Sequence, residues 1–107
     1  MELLDIEKEF LQPQITPSRV ADLRVILSGK YAFAMNRLEE ILMAKPLIWN
    51  TMRADFKSDT ACERTWEGSE MGKQELHWKF QVKKIEKMLS AGKSLIEVKT
   101  AEAYSIM

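Results

Sequence analysis

A chain of 107 residues is the size of one domain, and it buries only a modest core even when compact. Sixteen Lys and Arg balance sixteen Asp and Glu, so net charge gives no global attraction to nucleic acid or acidic lipid. The single cysteine, Cys62, excludes an internal disulfide and a cysteine metal cluster.

The charge is arranged in blocks: residues 1–18 and 55–75 are acidic on balance, 19–54 and 76–107 basic. Alternating blocks suit elements that lie against each other or against a neighbouring subunit, and they leave local basic faces. A reducing compartment fits the lone cysteine. The acidic opening MELLDIEKEF lacks the charged-then-apolar pattern of an export leader. No run of about 18 apolar residues is present to span a membrane. The expectation is a cytoplasmic protein with no membrane partner.

Residues 1–15 form a short N-terminal helix or arm, with Leu3, Leu4, Ile6, Phe10 and Leu11 set among acids. QPQITP breaks it, because Pro13 and Pro17 lack amide donors and restrict the residues before them. Thr16 before Pro17 is a helix start signal, a capping hydroxyl followed by proline at the first helical position. From there Val20, Leu23, Leu27, Tyr31, Ala34, Leu38 and Ile41 recur at three- and four-residue steps, one face of a helix spanning 16–56. Pro46 removes a helical hydrogen bond and is expected to kink this helix near Lys45.

KSDTACE is the next punctuation. Thr60 with Glu63 three residues later has the capping-box form, with Ser58 or Asp59 as alternative caps. A helix from there meets no proline up to residue 103, about 60 Å if unbroken. Trp78, Val82, Ile85, Leu89, Gly92, Ile96 and Ala103 line one side of it, widened by Met88 and Leu95. Lys79, Lys83, Lys87, Lys93 and Glu97 lie opposite. The expected fold is all-α: a long antiparallel helical hairpin, its first helix kinked near Pro46, plus the short N-terminal helix, assembling as a helical-bundle homo-oligomer.

Candidate chemistry concentrates in ERTWEGSEMGKQELHWKF, residues 63–80. Cys62 and His77 form the chain's single thiol–imidazole combination, but on one helix they stand fifteen residues or about 22 Å apart, too far for direct proton transfer. Glu63, Glu67 and Glu70 share a helical side without the Glu-x-x-His pairing of carboxylate-bridged metal sites. No catalytic residues, metal ligands or cofactor are assigned. Ala61, Thr65, Gly68 and Gly72 recur at steps of four, three and four, a strip of small residues that admits another backbone, with a kink or local opening of the helix at the glycines as the alternative; with Trp66 the strip is the expected oligomer-packing surface. HWKFQVKKIEK interleaves Trp78 and Phe80 with Lys79, Lys83, Lys84 and Lys87. Stacking aromatics beside phosphate-tracking lysines are the ingredients of single-stranded nucleic-acid binding; the same pattern also describes an amphipathic helix with a solvated lysine face.

Over residues 60–103 the chain resembles small helical proteins that tailed phages encode beside their replication and recombination genes. The resemblance rests on Trp66-Glu67 with Gly72, the run Lys84-Ile85-Glu86-Lys87-Met88-Leu89-Ser90-Ala91, Lys93, and the closing Glu102-Ala103. It implies a non-enzymatic, oligomeric accessory protein similar to recombination mediators, acting on single-stranded DNA or on the proteins that handle it. The alternative is a protein-interaction module, an inhibitor of a host enzyme or a structural adaptor, that uses the small-residue strip and Trp66. A third reading is a pocket between subunits that holds a small anionic ligand.

Overall fold

The computed structural model describes residues 1–106, and within them the chain is all-helical, with no strand. Four helices follow in order: α1 (Leu3–Phe10), α2 (Pro17–Arg53), α3 (Asp59–Gly68) and α4 (Glu70–Ile106). The described residues divide into two compact units, one of residues 1–32 and 83–106 and the other of residues 33–82.

The first unit combines α1, the start of α2 and the end of α4. Thr16 caps α2 by accepting from the Arg19 amide at 3.1 Å, and Pro17 opens the helix without an amide to satisfy. The apolar stripes then close on each other: Ile6, Val20, Leu23, Leu27, Ile85 and Met88 are buried. Here α2 and α4 run antiparallel, since Tyr31 donates to Glu86 at 2.9 Å while Arg24 lies against Gly92. Gly92 lies close to both neighbours: a Cβ there would stand 3.0–3.2 Å from the Arg24 stem and the Phe10 ring, so these side chains would have to shift slightly. Two charge pairs hold α1 in place, Arg19 with Glu9 at 2.9 Å and Lys84 with Glu7 at 3.4 Å.

The second unit combines the end of α2, all of α3 and the start of α4. α2 continues through Pro46 as one helical segment. Asp55 and Phe56 then close turns onto Met52 and Arg53, and the chain reverses. α3 starts with Ser58 as its cap, its hydroxyl accepting from Ala61 at 3.2 Å. The cap is therefore Ser58 rather than Thr60, which leaves Asp59 in the first turn, where it pairs with Arg53. α3 runs back along α2, burying Cys62 and Trp66.

The continuous helix expected over 60–103 does not form. Ser69 adopts an extended conformation, φ −76° and ψ 163°, between α3 and α4. One residue serves both helices. Its hydroxyl donates to the Trp66 carbonyl at 2.5 Å, ending α3, and accepts from the Gly72 amide at 3.1 Å, starting α4.

Candidate interaction surface and the buried ion network

The break at Ser69 folds α4 back onto the last turn of α3, and Gly72 is the point of contact. A Cβ built there would lie 1.8 Å from the Trp66 carbonyl oxygen. Gly72 makes a close backbone approach within the chain, and Gly68 takes no part in it. Ala61, Thr65 and Gly68 belong to α3, Gly72 to α4, and the four do not form one strip on a single helix. Thr65 turns its hydroxyl to the Ala61 carbonyl at 3.1 Å, and Gly68 faces open space. Trp66, expected at a subunit contact, is 1% exposed and belongs to the core.

Around Trp66 lies the most organised chemistry in this unit. Glu75 of α4 is buried, and it accepts from Lys45 Nζ at 3.1 Å and from Trp66 Nε1 at 3.2 Å. Lys45 also reaches Glu63 at 3.6 Å, lies 5.3 Å above the Trp66 ring, and so joins α2, α3 and α4. Trp49 Nε1 donates to Glu63 at 3.0 Å, and Lys79 stands 3.7 Å from Glu75. Burial opposes ionisation of Glu75 and is the largest single influence on it. The hydrogen bonds from Lys45 and Trp66, with the charges of Lys45 and Lys79, together outweigh burial and hold the carboxyl below its ordinary value. A carboxylate held ionised by partners on two neighbouring helices is suited to joining them. A cavity of about 370 Å³ opens beside it, lined by Lys45, Glu63, Glu67, Glu75 and Lys79 among others.

The thiol and imidazole are held apart in character. Cys62 is fully buried, with its thiol aimed at the Trp49 carbonyl at 3.8 Å. His77 is exposed on α4, edge-on to Trp78 at 4.8 Å. No hydrogen bond joins the two among the described residues. Nor is there, among those residues, a group of three or more His, Cys, Asp or Glu side chains able to hold a metal ion.

The lysine–aromatic stretch is only partly available to a ligand. Lys79 is engaged by Glu75, and Lys84 by Glu7. Trp78 is half-buried, its ring edge-on to Phe33 at 5.7 Å. Phe80 is 62% exposed, and Lys83 and Lys87 carry no carboxylate partner among the described residues. In the first unit Lys84 and Lys87 edge an apolar groove of about 440 Å³ floored by Phe10, Leu11, Met88 and Ala91.

No protein-family model matches this chain. No curated protein or solved structure matches it either. What it does therefore has to be argued from its own surface.

Part of that surface is apolar. In residues 33–82 large apolar side chains stand exposed on both long helices, among them Met43 and Leu47 on α2 and Leu76 and Phe80 on α4. The buried apolar side chains of the same unit are Ala34, Ile41, Cys62, Trp66 and Val82. Phe33, Met35 and Leu42 are exposed as well, so the exposed large apolar side chains of this unit outnumber the fully buried ones, Ile41, Trp66 and Val82, while others such as Leu38, Ile48 and Trp49 are half-buried. Sequence periodicity missed this exposure because Met43 and Leu47 lie off the main stripe of α2, at a four-residue spacing of their own. Among the described residues no helix is long and apolar enough to cross a membrane, so a bilayer-spanning role does not account for these side chains.

Proposed function

We propose that the chain is a non-enzymatic helical protein that acts by protein–protein association, assembling as a homo-oligomer. One observation carries this reading: in residues 33–82, exposed large apolar side chains outnumber fully buried ones. Large apolar side chains exposed close together on a helix surface are commonly covered by a partner. The resemblance of residues 60–103 to oligomeric phage accessory proteins agrees with it. The ionised Glu75, partnered by Lys45 and Trp66, and the buried Cys62 supply structure rather than a nucleophile or a base.

A second reading has its own support. Phe80 is exposed, and Lys83 and Lys87 follow it on α4 without carboxylate partners among the described residues. An open ring with unpaired lysines suits stacking and phosphate contact with single-stranded DNA, the role implied by the likeness to recombination mediators. Native mass measurement with and without an oligothymidylate separates the two. Association alone gives masses that are multiples of 12.4 kDa and do not change when the oligonucleotide is added. The nucleic-acid reading gives an added oligonucleotide mass that is lost steeply with rising salt and lost in the Lys83→Glu, Lys87→Glu variant. A monomer at every concentration overturns association.

A further inference from the structure

Several exposed side chains of residues 33–82 line two ridges, one on each long helix; Phe33 and Leu42, also exposed, lie on neither. On α2, Met35, Glu39, Met43 and Leu47 follow one another at four-residue steps, a single row along the helix. Met43 and Leu47 are each about three-quarters exposed. On α4, Lys73, Leu76 and Phe80 follow at steps of three and four, again one side of the helix. Leu76 and Phe80 are both more than half exposed. The inward faces are accounted for separately, by Ala34, Ile41 and Lys45 on α2 and by Glu75 and Val82 on α4.

Each ridge carries one charge that the protomer leaves unused. Glu39 and Lys73 are both exposed, and neither takes part in an ion pair among the described residues. The α2 ridge is apolar with a carboxylate; the α4 ridge is apolar with an ammonium. Helical ridges built on four-residue steps pack into each other's grooves with axes about 8–10 Å apart. Methionines at 35 and 43 adapt to the facing surface. A nucleic acid fits this pair of surfaces poorly, since the Glu39 carboxylate would face phosphate.

We infer that the two ridges are the halves of a self-contact: the Met35–Leu47 ridge of one copy docks on the Lys73–Phe80 ridge of a second, with Glu39 opposite Lys73. Unlike ridges meet in each contact, whether reciprocally in a two-fold dimer or head-to-tail along a larger assembly. This pairing rests on the association reading above and names the surface through which that association occurs.

Charge reversal tests it. Glu39→Lys and Lys73→Glu, each alone, place like charges opposite each other and should weaken self-association about tenfold or more. The double variant restores the pair in reversed sense and should recover assembly. An equimolar mixture of the two single variants should also assemble, since each chain then finds its complement in the other. Both positions are exposed, so circular dichroism melts should stay near wild type. A wild-type assembly indifferent to both single changes overturns this contact and leaves the association reading standing. Single changes that dissociate the assembly, with no recovery in the double variant or the mixture, also overturn the pairing. A wild-type protein that is monomeric overturns the association reading, and this inference with it.

Discussion

Gly72→Ala is expected to destabilise the protein by about 3 kcal/mol or more, far beyond the usual effect of one added methyl group. The new Cβ would sit 1.8 Å from the Trp66 carbonyl oxygen, 2.6 Å from its carbon and 3.0 Å from the Glu67 Cα. All three are backbone atoms, so no side chain can swing aside; the end of α3 and the first turn of α4 must separate. Separation would strain both bonds made by the Ser69 hydroxyl, and it would loosen the Trp66 indole from Glu75. Gly29→Ala provides the opposite case. Gly29 lies within α2 with no atom near its missing Cβ, so alanine there should stabilise the helix by about 1 kcal/mol. Urea unfolding followed by circular dichroism gives both values. Equal and small effects at the two glycines would mean that α3 and α4 do not meet at Gly72.

The second large effect is expected at Glu75. Glu75→Ala leaves the Trp66 indole N–H without its acceptor and Lys45 with only the more distant Glu63. Loss of a buried charged partner of this kind costs about 2–3 kcal/mol. Glu75→Gln should cost less, because the amide oxygen still accepts from Trp66. The wild-type advantage over Glu75→Gln should also depend on pH, with a definite sign. The folded carboxyl is held below its ordinary value of 4.5, so the unfolded chain takes up a proton first as the solution is acidified. The contribution of Glu75 is therefore complete above the ordinary carboxylate range and is lost as pH falls through the lower, folded value. Melts of the two proteins from neutral to acid pH should converge at the acid end. A constant difference across that range would show that the Glu75 charge is not what holds α2, α3 and α4 together.

Much of the helical pattern was legible in the sequence. Of the stripe Val20, Leu23, Leu27, Tyr31, Ala34, Leu38 and Ile41 in α2, all are buried except Tyr31 and Leu38, which are half-buried. In α4, Val82, Ile85 and Met88 are likewise buried. The division of the last segment was less visible. Periodicity carries across Ser69 because α3 and α4 each present an apolar face, and proline, the strongest stop signal, is absent there. The available cue was the order Gly68, Ser69, Glu70: a glycine ending one helix, a hydroxyl to cap the next and an acid in its first turn. Of the two glycines only Gly72 marks a close backbone approach, and the approaching backbone is the protein's own α3.

The site was harder to read than the fold. Trp66 and Glu75 appear in the sequence as an aromatic and one acid among many; only the turn at Ser69 brings the indole onto the carboxylate. The lysines of 79–87 appear equivalent in a helical pattern, yet their environments differ because the partners come from distant segments. Lys84 meets Glu7 of α1, and Lys79 meets the acid one turn before it. Met43 and Leu47 escaped notice for a related reason: a four-residue apolar spacing on the outer side of a helix acquires meaning only once the inner side is known to be filled by other residues.

The central claim, that the protein works through association of exposed apolar helix faces, is tested most directly by sedimentation of the wild type beside a Met43→Glu, Leu47→Glu variant across a range of concentrations. The account predicts a wild-type assembly that is a multiple of 12.4 kDa and a variant that sediments as a 12.4 kDa monomer with its helical signal and melting temperature retained. A wild type that stays at 12.4 kDa at every concentration, or a variant assembly indistinguishable from wild type, would contradict it.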